Sequence, residues 1–244
     1  MLTRSTVSFS TRNRLFLFVS FIAFSSLVFA ISPMIKRYTI KPVLDYAVNN
    51  KLALYAQLNL ANKGLSEKAF LYAVEGYEKL KRAGKLPDSR YLTVIDFSLS
   101  SAKKRMFIVD MEGGKLLFQC LVAHGKNSGK AYAQSFSNES ESLQSSLGFY
   151  KTGGTYQGSN GLSLVLHGLE KGINDNAESR SVVLHGADYV SGTIAQHQGF
   201  IGRSFGCPAV PRELAAPIIK TINGGHCLFI YAPNKKYVKA SKII

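Results

Sequence analysis

Residues 181–188 read SVVLHGAD and residues 202–209 read GRSFGCPA, and these two stretches hold the densest chemistry in the chain. Three apolar residues with β propensity precede His185, which predicts that this histidine emerges at the end of a short strand. Cys207 follows Gly206, and glycine permits the tight turn that exposes a sulfur atom. The two stretches therefore indicate a strand and a turn that present an imidazole and a thiol.

A thiol and an imidazole are a nucleophile and its base. A cysteine with a free pKa of about 8.5 is only slightly ionised at neutral pH, so we expect His185 to accept the Cys207 proton. The amides of Gly206 and Cys207 would form an oxyanion site, and Arg203 would lower the thiol pKa or bind a substrate carboxylate. Gly186 would leave room for substrate or for the Cys207 turn. A lone His-Gly pair is more often structural, and only the neighbouring thiol favours catalysis.

Outward from these stretches, the hydrophobic pattern from Tyr91 onward predicts short strands separated by Gly, Asn and Ser. Glu112 and the two glycines after it predict a hairpin turn, residues 130–160 predict long surface loops, and residues 211–222 predict a helix. We therefore predict a mainly β fold, a mixed β-sandwich or curled mixed sheet, over residues 89–244. The predicted strands are residues 92–97, 105–110, 116–123, 162–166, 182–184 and 227–231.

Residues 31–88 are helical in character and predict a helical N-terminal subdomain without catalytic residues. Ser66 is a typical N-cap, and Gly84 followed by Pro87 ends the helix that it begins. A preceding helix is predicted over residues 43–60. The apolar face of the capped helix comprises Ala69, Phe70, Ala73, Val74, Tyr77 and Leu80.

Residues 1–30 combine three arginines with a long apolar run, which is typical of a secretory signal. The alternative is an uncleaved anchor that tethers the protein to a membrane. Either way we expect export, to the periplasm or cell envelope. The net charge of +15 favours anionic partners, whereas scattered Lys and Arg without an aromatic-basic motif argue against nucleic acid.

Three cysteines in an exported chain leave at least one thiol unpaired. Cys120 and Cys227 lie in apolar runs and are expected to be core residues or a disulfide, whereas Cys207 lies in a glycine-rich turn. The five histidines lack the spacing of a helical metal site, so we expect no metal.

The chain resembles the YkuD-like L,D-transpeptidases, and more specifically the branch of murein L,D-transpeptidase catalytic domain proteins. The resemblance spans roughly residues 90–232 and includes VIDFS at 94–98, VAHGKNSG at 122–129, SSLGFY at 145–150, GLEKGINDNA at 168–177, HGADYVS at 185–191 and GRSFGCPA at 202–209.

This resemblance implies Cys207 as nucleophile and His185 as base, acting without a cofactor on peptidoglycan stem peptides. It places Gly186 and Ser204 at the site and Gly206 in the oxyanion turn. Phe205 stands where the better-studied branch has histidine, so the third catalytic member is left open.

Four side chains are candidates for substrate binding: Arg203, His167, Lys126 and Tyr150. For Lys126 and Tyr150 a solvated surface role and core packing, respectively, are equally good interpretations, and His167 fits a structural role or the cleft. Arg180 is a further candidate for a substrate carboxylate. We expect a monomer that forms L,D cross-links; the alternatives are an L,D-carboxypeptidase or a non-catalytic peptidoglycan-binding module. Papain-like proteolysis requires the cysteine to precede the histidine, the reverse of the order here.

Overall fold

The computed structural model describes residues 50–244, in which eight strands form one mixed sheet. The sheet order is β3-β2-β1-β8-β4-β5-β6-β7, with β1–β8 and β6–β7 parallel and the other neighbours antiparallel. The strands are β1 Tyr91–Asp96, β2 Met106–Asp110, β3 Lys115–Cys120, β4 Gly148–Gly158, β5 Gly161–Gly168, β6 Val183–Ala187, β7 Ala209–Pro211 and β8 Cys227–Tyr231.

The helices surround this sheet. They are α1 Glu67–Arg82, a 3₁₀ turn Lys126–Ser128, α2 Gly192–Gln198, α3 Arg212–Ile222 and α4 Lys235–Ala240. The predicted cap of α1 is confirmed, because the Ser66 side chain accepts a hydrogen bond from the amide of Ala69, and the predicted apolar face is buried. Residues 50–57 are also helical; the rest of the predicted helix over 43–60 lies outside the described residues.

Helix α1 packs directly on the sheet because it carries a glycine at the contact. A Cβ built on Gly76 would come within 2.0 Å of the Phe149 ring of β4. That ring stacks on Phe229 of β8 at 4.2 Å between centroids. Part of the core therefore lies between α1 and the central strands β4 and β8.

Two strands were not predicted from sequence. Strand β4 falls within residues 130–160, which were expected to be loops, because its second half is polar, glycine-rich and exposed. Strand β7 has only three residues and ends in proline. The glycine turn between β2 and β3 and the helix following residue 211 are confirmed.

The structure is thus a sheet-rich mixed fold with helices, and its arrangement as a sandwich remains a prediction. The expected signal segment at 1–30 lies outside the described residues. Among residues 50–244, no helix has both the length and the apolar character needed to cross a bilayer.

Candidate active site

Cys207 lies in the turn that leads into β7, with its side chain half-buried beside β6. The amide of Val183 donates to the sulfur at 3.4 Å, and the thiol donates to the carbonyl oxygen of Ser181 at 3.6 Å. The sulfur is therefore held between the turn and the beginning of β6 while part of the residue remains open to solvent.

The turn itself is shaped by Gly206 and Ser204. Gly206 has φ of +135°, and a Cβ there would lie 3.0 Å from the carbonyl oxygen of Gln144. A side chain at this position is therefore disfavoured both by the backbone conformation and by the close contact. The Ser204 hydroxyl donates to the Cys207 carbonyl at 2.6 Å and accepts from the Gly206 amide at 3.1 Å. These bonds lock the turn around the nucleophile candidate.

The same bonds correct one expectation from sequence. The Gly206 amide was expected to face a substrate oxyanion, but it donates to Ser204 instead. The amide of Cys207 lies against its own sulfur and lowers the pKa of the thiol. An oxyanion role for the Cys207 amide stays a prediction.

His185 is the central residue of β6 rather than the last residue of a strand, because pairing with β7 extends β6 to Ala187. It is buried, with 4% of its surface exposed. Its Nδ1 lies 3.0 Å from the carbonyl oxygen of Gly186. A carbonyl only accepts, so Nδ1 carries the proton and Nε2 has the free lone pair of a base.

Gly186 was expected to leave room for substrate or for the Cys207 turn, but the structure places helix α3 against it instead. A Cβ at this position would meet Ala215 at 2.9 Å and the backbone of Arg212 at 3.1 Å, so helix α3 occupies that side. Gly186 contributes to the site through its carbonyl oxygen, which fixes the His185 tautomer.

The register between β6 and β7 relates the thiol to the imidazole. His185 pairs with Ala209, and the contact of Val183 with Cys207 lies two residues earlier on both segments. Two residues of a strand span about 6.6 Å. Cys207 therefore lies opposite Val183, two residues along β6 from His185, and among the described residues the thiol and the imidazole form hydrogen bonds to backbone groups rather than to each other.

Burial dominates the electrostatics of this pair. It raises the pKa of the Cys207 thiol, opposed by the Val183 amide and the positive charge of Arg180. It also lowers the pKa of His185, opposed by the Gly186 carbonyl and assisted by the charge of Arg212. At neutral pH the resting pair is hence a neutral thiol and a neutral imidazole.

Arg180 supports the loop against which the Cys207 turn packs. Its guanidinium donates to the carbonyl oxygens of Ser137 at 2.8 Å and Gln144 at 2.7 Å and to the hydroxyls of Ser142 and Ser146. The Gln144 carbonyl is the one that lies against Gly206. Arg180 thus fixes the loop on which the nucleophile turn rests, rather than facing solvent as a free carboxylate ligand.

Arg203 lies further from the thiol than its sequence position indicated. It is exposed, and its guanidinium donates to the carbonyl oxygens of Gly129 at 3.2 Å and Lys126 at 3.4 Å. The charge that acts on the thiol comes from Arg180 instead.

Tyr189 is a neighbour of the site that sequence reasoning missed. Burial, and secondarily the negative charge of a Cys207 thiolate, raise the pKa of its hydroxyl to about 12. A Cβ on Gly202 would meet the Tyr189 side chain at 2.4 Å, so the glycine lets the tyrosine pack against the turn. Gly202 was the sequence feature that could have indicated a side chain packed closely against this turn.

The other three candidates for substrate binding have different environments. Tyr150 is fully buried and its hydroxyl donates to the Ser146 carbonyl at 3.1 Å, so the core-packing interpretation replaces cleft lining. His167 on β5 pairs with Glu178 at 2.9 Å. Lys126 is exposed, with its ammonium over the ring of Phe205.

His124 has a structural environment. It is fully buried, with Nδ1 at 2.7 Å from Nη2 of the buried Arg105 and Nε2 at 3.2 Å from the Gly129 carbonyl. Burial and the Arg105 charge lower the pKa of His124 to about 4. The histidine therefore serves as a neutral acceptor for a buried guanidinium.

The three thiols are free, so Cys120 and Cys227 are core residues without a disulfide. Burial raises the pKa of Cys120 to about 12 and raises that of Cys227 as well. Within the described part of the chain, no three His, Cys, Asp or Glu side chains gather as a metal site.

Comparison with known proteins assigns the chain to a family. A model of the L,D-transpeptidase catalytic domain family matches residues 61–231. This range holds the described strands, Cys207 and His185. The chain therefore belongs to the L,D-transpeptidase catalytic domain family. No curated protein matches the sequence.

Solved structures to which the chain is similar include an L,D-transpeptidase from Mycobacterium smegmatis, at 14% identity and a TM-score of 0.37, with 59% of each chain covered. A helical cell shape determining protein from Campylobacter jejuni has 13% identity and a TM-score of 0.38, with 67% of this chain and 57% of that chain covered. An L,D-transpeptidase from Xylanimonas cellulosilytica has 13% identity and a TM-score of 0.34, with 75% and 93% covered. The chain spans less than two thirds of the first two, so the family assignment rests on the family match.

Proposed function

We propose that this protein is a cysteine acyltransferase that acts on the tetrapeptide stems of peptidoglycan in the cell envelope. The observation that supports the proposal is the contact of the half-buried Cys207 sulfur with Val183, two residues before His185 on the same strand, together with a His185 tautomer that leaves Nε2 free to accept a proton. Membership of the L,D-transpeptidase catalytic domain family supports the substrate class.

The first step forms a thioester. Nε2 of His185 takes the Cys207 proton as the sulfur attacks the carbonyl carbon of the third stem residue, of the diaminopimelate type. The amide of Cys207 stabilises the oxyanion. The bond to the terminal D-Ala then breaks, and its nitrogen leaves with the proton that His185 received.

The second step resolves the thioester. An amine from another stem attacks the carbonyl carbon, and its proton returns through His185 as the sulfur leaves. The product is an L,D cross-link. If water attacks instead, the product is a tripeptide and the protein is an L,D-carboxypeptidase.

The resting charge state favours general-base activation over a preformed ion pair. Because burial disfavours both the thiolate and the imidazolium, we expect the proton to move as the sulfur attacks the substrate rather than before it. Water excluded by substrate then strengthens the attraction between the developing charges.

The proposal is tested by incubating the full chain with disaccharide-tetrapeptide and analysing the products by mass spectrometry. A cross-linked dimer supports transpeptidation, and a tripeptide supports the carboxypeptidase alternative. Cys207→Ala should give neither product while remaining folded. Product formation by Cys207→Ala would overturn the mechanism, and no product from a folded wild-type chain that binds stems would favour the non-catalytic module.

A further inference from the structure

A basic, aromatic surface adjoins the nucleophile turn. The Lys126 ammonium lies 4.8 Å from the ring centroid of Phe205, and the Lys130 ammonium lies 4.9 Å from that of Phe200. Arg203 lies between the two aromatic residues in the chain. We call these five residues the Lys–Phe surface: Lys126, Lys130, Phe200, Arg203 and Phe205.

Backbone pairing builds this surface beside Cys207. The amide of Lys126 donates to the Ser204 carbonyl at 2.8 Å, and Gly125 forms a bridge with Ser204. Burial alternates along the turn, so Arg203 and Phe205 are exposed while Ser204 faces inward and bonds to the Cys207 carbonyl. The exposed side of the turn therefore continues directly into the proposed site.

The exposure of Phe205 has no explanation within the described fold. With 71% of its surface exposed, it is the most exposed large hydrophobic residue among residues 50–244, even with Lys126 over its ring. Exposed aromatic groups rimmed by polar residues mark surfaces that contact a partner. The ring stands two residues from the thiol.

The charge of the surface is uncompensated. Residues 113–138 and 189–212, which supply all five members, contain no Asp or Glu. Among the described residues, Lys126, Lys130 and Arg203 form no salt bridge. The neighbouring loop that contains Glu139 and Glu141 bounds the surface, since its Ser142 carbonyl accepts from the Asn127 side chain.

We propose that the Lys–Phe surface binds a carboxylate-bearing glycan strand, that of peptidoglycan, alongside the nucleophile. The cations pair with stem carboxylates, and the rings of the exposed Phe205 and the half-buried Phe200 contact the apolar faces of sugars. Two cation–aromatic pairs flank Arg203 over residues 200–205, a segment at most about 17 Å long, and this repetition suits a repeating polymer better than a single peptide. The inference rests on the proposed function and names the polymer that its site engages.

The test measures binding of full-length Cys207→Ala protein to purified sacculi by co-sedimentation, so that turnover plays no part. In this background the triple substitution Lys126→Gln, Lys130→Gln and Arg203→Gln should weaken binding at least about tenfold at low salt, because three uncompensated charges are lost. Phe205→Ala should weaken it severalfold with little change in salt dependence, because the lost contact is uncharged.

The matched control removes the same number of charges from helix α1 and the residues after it: Lys81→Gln, Arg82→Gln and Lys85→Gln, all exposed. This control should bind as the parent does. Equal weakening in both triple variants would mean that net charge alone governs binding and would overturn the proposal.

Two further arms identify the ligand. Sacculi whose carboxylates have been converted to amides should bind the parent as weakly as intact sacculi bind the Lys–Phe triple variant. Binding to anionic phospholipid vesicles that matches binding to sacculi, with no effect of amidation, would assign the surface to a membrane and contradict the proposal.

Different results would contradict the proposed function and the surface assignment. If the triple variant binds sacculi normally while wild-type protein forms a thioester with soluble stems, the surface assignment falls and the mechanism stands. If binding depends on the surface but wild-type protein forms no thioester, the mechanism falls and the surface assignment stands.

Discussion

The Cys207 sulfur lies 3.4 Å from the amide nitrogen of Val183, two residues before His185 on strand β6. The nucleophile candidate is therefore positioned by the same strand that carries its base. A displacement of the turn changes the distance between thiol and imidazole directly, and the predictions below follow from this arrangement.

The first prediction concerns the ionisation of Cys207. Because burial raises the pKa of the thiol, the rate of alkylation by iodoacetamide should rise with a midpoint above the ordinary value of about 8.5. The measurement is the alkylation rate against pH, followed by intact mass. A rate already constant from pH 5 upward would show a thiolate–imidazolium pair and contradict the neutral resting state.

Cys207→Ala is the control for this profile. Cys120 and Cys227 are buried thiols with raised pKa values, so the variant should remain unlabelled over the same period. Labelling of the variant would mean that the profile reports another cysteine.

The second prediction concerns the nucleophile turn. Gly206→Ala introduces a side chain at φ of +135° and 3.0 Å from the Gln144 carbonyl, which costs about 1–3 kcal/mol of strain. We expect acyl transfer to fall at least about tenfold, since the sulfur shifts away from β6. Gly192→Ala, where a Cβ meets nothing within 4 Å, is the matched control and should retain activity. Unchanged activity in Gly206→Ala would remove the argument that this turn sets the geometry.

The third prediction separates the two roles of Arg180. Arg180→Met removes four hydrogen bonds from the loop at residues 137–146 and should lower the free energy of unfolding by about 2–4 kcal/mol. It should also raise the alkylation midpoint of Cys207, because a positive charge near the thiolate is lost.

Arg180→Lys restores the charge but not the planar set of donors. This variant should recover most of the alkylation midpoint and little of the stability. An identical midpoint in wild type, Arg180→Met and Arg180→Lys would show that Arg180 acts on the fold alone.

The fourth prediction concerns stability against pH. The pKa of His124 is about 4 in the folded protein and about 6.5 in an unfolded chain, so the unfolded state takes up a proton first as the pH falls. The contribution of neutral His124 is complete above pH 6.5 and is lost progressively down to pH 4, by up to about 3 kcal/mol. Urea unfolding at a series of pH values measures it.

His124→Gln is the matched control, because an amide can accept from Arg105 and donate to Gly129 without titrating. The difference in unfolding free energy between wild type and this variant should shrink or reverse as the pH falls through the window from 6.5 to 4. Parallel curves would show that His124 does not titrate there.

Local signals in the sequence predicted the parts of the fold that depend on local structure. Ser66 and the apolar face of α1 identified that helix, and the apolar run at residues 227–231 coincides with β8. Strand β4 could not be predicted, because its polar, glycine-rich half owes its conformation to pairing with β5.

The same limit applies to the site. Neighbouring Gly and Cys in one motif predicted a tight turn, and Gly206 adopts it. The central position of His185 in β6 depends on pairing with β7, and the contacts of Arg180 lie 34 to 43 residues away in the chain. The helix over residues 212–222 was predicted, but its packing against Gly186 was not, because that contact depends on the tertiary fold.

The central claim is that Cys207 becomes acylated with His185 as its base, and the intact mass of the protein during reaction with a tetrapeptide stem tests it most directly. Wild-type protein should gain the mass of the stem without its terminal D-Ala, with the adduct mapped to Cys207. His185→Gln should acylate slower by at least about 100-fold, the usual contribution of a positioned base. An adduct on another residue, or equal acylation rates in wild type and His185→Gln, would contradict the account.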